Sequence, residues 1–213
     1  MVVFYGLLLL IVSGVGIFRY KKLTVPFKIL TWSVLFVFLC NVLSKLFSIK
    51  YKTNAPVLQV ECIAEYIFYS LVYYYLFKNK KLKKLILLSI ALVTIFFIVN
   101  ASIFQPFDKV FPTNLYIPTQ ILYVLFSLLM FKQMLLYPLK INIIEQGVFW
   151  YNTAMLFYAT TMFLNLGLTN IYAQHNHWDN YIFYFWYGIV SVFHILIGIS
   201  ILTDGKEINK SYA

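Results

Sequence analysis

Apolar runs about as long as a bilayer is thick recur along this chain, and nothing else in it constrains the fold as strongly. A helix needs about 20 apolar residues to cross the hydrocarbon core. Seven such runs are legible, at roughly 3–18, 27–49, 57–77, 85–104, 114–137, 147–168 and 180–203. Little sequence separates them, so the 213 residues leave no room for a separate soluble domain. The chain is 62% hydrophobic and 11% charged, whereas a soluble domain is nearer half apolar and a quarter charged. Only lipid can cover that excess. The expected fold is all-α: a polytopic seven-helix transmembrane bundle over 1–203, with a short cytoplasmic tail at 204–213.

The net charge of +10 raises the question of nucleic acid, and its distribution answers against it. Basic residues follow alternate runs, as in "RYKKLTVPFK" and "KNKKLKK", which is the positive-inside pattern. With the amino terminus outside, Arg19, Lys21, Lys22, Lys28, Lys78, Lys80, Lys81, Lys83, Lys84, Lys132, Lys140, Lys206 and Lys210 fall in the cytoplasm. Lys45, Lys50, Lys52 and Lys109 fall on or near the outer side. The carboxyl terminus is then cytoplasmic, and the expected location is the bacterial inner membrane, multi-pass. The lipid bilayer is the first partner, and basic inner loops suit its anionic headgroups. The first run has no basic residues before it and is followed by "RYKK". It reads as an uncleaved helix and not as a signal peptide.

Against this background two carboxylates stand out. "QVECIAEYIFY" places Glu61 and Glu65 inside the third run. Four residues apart, they share one face of a helix, and Tyr69 and Tyr73 continue the stripe. At 1.5 Å per residue, Glu65 lies roughly 12 Å below the outer end. Charge at such depth is costly, so it is expected to face the bundle interior and to mark a functional site. The alternative is that both glutamates serve as hydrogen-bonding glue between helices. Two close ionised carboxylates repel, so the pair is expected to hold a proton between them.

Asn41, Gln120 and Asn165 map to comparable depth on other helices, and with Glu61 and Glu65 they are expected to line one cavity open to the outside. Tyr184 is placed in its wall, beside Trp186 and Tyr187, with Tyr181 read as interfacial aromatic belt. The loop "HNHWD" offers His175, His177 and Asp179, an irregular set that reads as solvated loop before it reads as zinc ligands; no metal and no cofactor is expected. His194 lies deep in the last run, where a neighbour is expected to satisfy it. Cys40 and Cys62 fall inside runs and read as apolar core thiols and not as a disulfide.

Aromatic content is weak evidence for a ligand cage. The chain has 18 Tyr and 21 Phe, and sixteen lysines against one arginine, as an AT-rich genome produces. All six prolines sit at or near expected helix ends, which argues against transporters built on broken helices. The last run has no lysine for a retinal Schiff base. No phosphate loop, nucleophile elbow or intramembrane metallohydrolase set is present, so an enzyme is not expected.

"ECIAEYIFYSLVYYYLF" followed by "KNKKLKK" resembles the third helix of small seven-helix membrane proteins of the Bacteroidota, and "GVFWYNTAMLFYATTMFLNLGL" resembles their sixth. These proteins are often encoded near two-component systems. The resemblance implies a membrane sensory role with a cytoplasmic signalling partner such as a histidine kinase. The leading expectation is a sensor or receptor-like protein whose outward-facing pocket around Glu61 and Glu65 binds a small ligand or responds to protons. The alternatives are a proton- or cation-coupled transporter or channel and, behind it, a lipid-modifying enzyme.

Overall fold

In a computed structural model, the described residues are 2–108, 112–139, 141–174 and 180–204, with side chains left aside at 2, 167–174 and 180–182. They form seven α-helices and no strands. These are α1 (Val2–Arg19), α2 (Val25–Tyr51), α3 (Ala55–Leu76), α4 (Lys80–Val99), α5 (Thr113–Leu136), α6 (Gly147–Gln174) and α7 (Asn180–Thr203). Among the described residues, six are long and apolar enough to cross a bilayer by length and composition. The all-helical fold expected from the apolar runs is the one observed.

Local chemistry sets the helix ends. Proline at the start of α2 and of α3 fits the first turn, where a missing N–H costs nothing. Lys52 ends α2 in the left-handed region, φ 56°. Asn79 caps α4 by accepting from the Lys81 N–H at 2.8 Å. Because of that cap, the basic run at 80–84 forms the first turns of α4, where the sequence had suggested a loop. Lysine stems can lie along a helix while their heads reach water. Likewise α6 runs through 169–174, which the sequence had suggested as loop. Pro118 lies inside α5, five residues past its start.

The helices group into two compact units. The first holds α1, α6, α7 and α5 from Gln120 onward. There α7 packs against both α6 and α1. Tyr158 stacks on Phe193 at 4.5 Å, and Asn152 donates across to the Ser127 carbonyl at 3.0 Å. Tyr5 meets Tyr187 and His194, Val12 touches Gly198, and Arg19 reaches Asp204. This rising order of partners makes α1 and α7 parallel.

The second unit holds α2, α3, α4 and α5 up to Thr119. Its central element is α3, which packs on both α2 and α4. Half of its apolar window is buried, against 22% for α4. Tyr66, Tyr69, Val72 and Tyr73 are fully enclosed. The Asn54 side chain donates to the Ser44 hydroxyl at 2.9 Å, so the last turns of α2 run past the start of α3.

Candidate functional site: the carboxylate pair of α3

Glu61 and Glu65 sit one turn apart on the central helix of the second unit, and both are half-buried. The helical spacing that suggested a shared face is what brings them together, and each lies in the field of the other. Tyr69 follows a turn further on and acts electrostatically on the Glu65 carboxyl. Tyr69 is fully buried, so this end of the stripe is enclosed by protein. From α2, Cys40 comes close enough to feel both carboxylates, Glu61 the more strongly. Cys62, adjacent in sequence, feels them too. Both thiols are free and buried.

Among the described residues neither glutamate has an ion pair. A phenol and two thiols stand in their surroundings. Such a set offers two carboxylate oxygen pairs and no counter-charge. It can share a proton or receive a cation from outside the fold. No group of three or more His, Cys, Asp or Glu side chains among the described residues is placed to hold a metal ion.

The remaining residues singled out by sequence divide between the two units. Asn41 is half-buried on α2, one residue past Cys40. Gln120 and Asn165 are buried in the first unit, at 2% and 4% exposure. Tyr184 is exposed on α7, and the inward-facing aromatic there is Tyr187, edge-on to Tyr5 and Phe183. His175, His177 and Asp179 lie outside the described residues. His194 is buried with its Nδ1 at 2.8 Å from the Val190 carbonyl and 3.4 Å from the Tyr5 hydroxyl.

Sequence reasoning missed a second polar feature, on the amino-terminal side of the carboxylates along α3. After α4 the chain makes a π-helical turn at Asn100–Phe104, a geometry that often marks functional positions. The Gln105 N–H closes it on the Asn100 carbonyl at 2.7 Å. Asn100 Nδ2 donates to Gln105 Oε1 at 2.9 Å, and Gln105 Nε2 donates to Thr113 Oγ1 at 2.7 Å. Asn114 donates its backbone N–H to Gln105 Oε1 and its side-chain amide to Asn100 Oδ1. Gln59, fully buried, donates from α3 to the carbonyls of Gln105 and Pro106. The knot therefore fastens the α4–α5 connection to α3 two residues before Glu61. Its signal in the sequence was the density of amides around Pro106, where an ordinary wet loop was expected.

Compared with protein-family models, with curated proteins and with solved structures, the chain finds no match.

Proposed function

We propose that this chain is a seven-pass protein of the bacterial inner membrane, amino terminus outside and carboxyl terminus in the cytoplasm, that works as a non-enzymatic sensor. Glu61 and Glu65 form its receiving site, for protons or for a small cationic ligand entering from outside. The basic inner segments pass the signal to a cytoplasmic partner, a histidine kinase being the expected kind.

One observation carries this reading: two carboxylates share a face of the central α3 helix and have no ion-pair partner among the described residues. Carboxylates are expensive inside a bilayer and are retained where a proton or ion is handled. A glutamine would supply hydrogen-bonding glue at lower cost, and this protein uses glutamine for that purpose at Gln59 and Gln105.

The test is proton uptake by the full chain reconstituted in vesicles, followed by infrared absorption of protonated carboxyl groups as external pH is lowered. Glu65→Gln should insert and melt like the parent but lose most of the signal. Glu61→Gln should keep a signal with a displaced pH range. A Glu65→Gln protein that titrates like the parent would make the carboxylate structural and remove the site.

A further inference from the structure

We propose that a groove between α1 and α7 binds an anionic phospholipid, with Arg19 and Lys22 holding the phosphate and one acyl chain lying along Gly14, Val15 and Phe18. The groove encloses about 560 Å³ and is lined by these residues and Leu202. It rests on the membrane reading of α1 and α7 and is independent of any role for Glu65.

The lining is graded along α1. Residues 14 and 18 lie four apart on α1, as do 15 and 19, so these four occupy one helix face, and Lys22 follows in the 3-10 turn Tyr20–Lys22. The inner part is apolar, and Phe18 is 92% exposed on its flank. The end part is cationic. Basic pockets between helices at the cytoplasmic surface are the general form of an anionic-lipid site, and the positive-inside reading puts this end there.

Arg19 is the only arginine in a chain that otherwise uses lysine. Its Nη2 donates to the Asp204 carbonyl at 2.8 Å, one of the carbonyls left open at the end of α7. That bond fixes the plane of the guanidinium. Its Nε is buried and has no hydrogen-bond partner among the described residues. A planar fork held at one corner with a donor to spare suits a phosphate oxygen in a way that a flexible ammonium does not. Lys22, exposed one turn on, supplies a second charge. Gly14 leaves the inner groove open: a Cβ added there meets nothing within 4 Å.

The test uses the purified full chain, delipidated in mild detergent and titrated with phosphatidylglycerol or phosphatidylcholine, with bound lipid counted by native mass spectrometry. Phosphatidylglycerol should bind preferentially. Lys22→Gln should weaken it roughly fivefold, the effect of one basic residue at such a surface. Gly14→Leu, which keeps every charge and fills the groove, should weaken both lipids. Because Arg19 also holds the end of α7, Arg19→Gln is read only alongside these two variants. Equal binding of the two lipids, parental binding by both Lys22→Gln and Gly14→Leu, or competition by inorganic phosphate as effective as by the lipid would each overturn the proposal. So would binding that appears only after residues 205–213 are removed, which would give the groove to the chain's own tail. A chain that fails to fractionate with membranes would defeat the membrane reading itself.

Discussion

Two polar regions of α3, two residues apart in sequence, solve the problem of burial in opposite ways. Around Gln59 amides meet carbonyls, amides and a hydroxyl, and Asn100, Gln105, Thr113 and Asn114 close on one another. Around Glu61 and Glu65 the described residues offer acids without bases. Neutral groups that satisfy each other lower the free energy of one arrangement and stay there. Acids without a counter-charge leave the region dependent on what arrives. The first pattern is structural; the second is the one expected of a site that changes state.

The contrast can be broken by substitution, and the largest effect on stability should come from the amide knot. Gln105→Ala removes a side chain that accepts two hydrogen bonds and donates a third. It should cost about 2 kcal/mol in reversible unfolding of the detergent-solubilised protein. A loss near zero would mean the knot is not holding the α4–α5 connection to α3. Next comes Tyr66→Phe, which deletes the 2.8 Å bond from α3 to Ser89 on α4. About 0.6 kcal/mol is expected, the average for an interhelical hydrogen bond in a bilayer. Smallest should be Glu65→Gln, which preserves shape and hydrogen-bonding capacity and should change stability by less than about 0.5 kcal/mol. If Glu65→Gln destabilises as much as Gln105→Ala, the two regions are alike and the carboxylates are glue. A topological check sharpens the same comparison. A reporter fused after Ala213 should be active only in its cytoplasmic form, and one placed near Asn176 only in its external form; the reverse result would put the carboxylates nearer the wrong side of the bilayer for an external signal.

Much of this could be read from the chain alone, for identifiable reasons. Apolar runs of bilayer length declare helices, and seven helices are present among the described residues, six of them long and apolar enough to cross a bilayer. The stripe Glu61–Glu65–Tyr69 was legible because residues four apart share a face whatever surrounds the helix. Cys40 was not. Its place beside the carboxylates depends on the register of α2 against α3, which is fixed by the Asn54–Ser44 bond and the overhang of α2. Counting depth from each helix end treats the two starts as level, and they are not. The knot was invisible for a related reason: five residues spread over 59–114 converge only once α3, the π-helical turn and α5 are packed. The start of α4 within a lysine run was missed because charge reads as loop, whereas the Asn79 cap determines where the helix begins.

The parallel pairing of α1 with α7 has a consequence for how the protein is made. α1 is synthesised well before α7, the helix it packs against. At about 5–20 residues per second, α1 must wait on the order of ten seconds or more before Val12 can meet Gly198 or Arg19 can reach the end of α7. During that time Tyr5, Ser13 and the guanidinium, all at least partly covered in the finished protein, face the insertion machinery or lipid. The second unit, whose helices are consecutive, can assemble in the interval. Order of synthesis and order of packing therefore differ for α1, and a truncation that removes α7 leaves α1 without that partner.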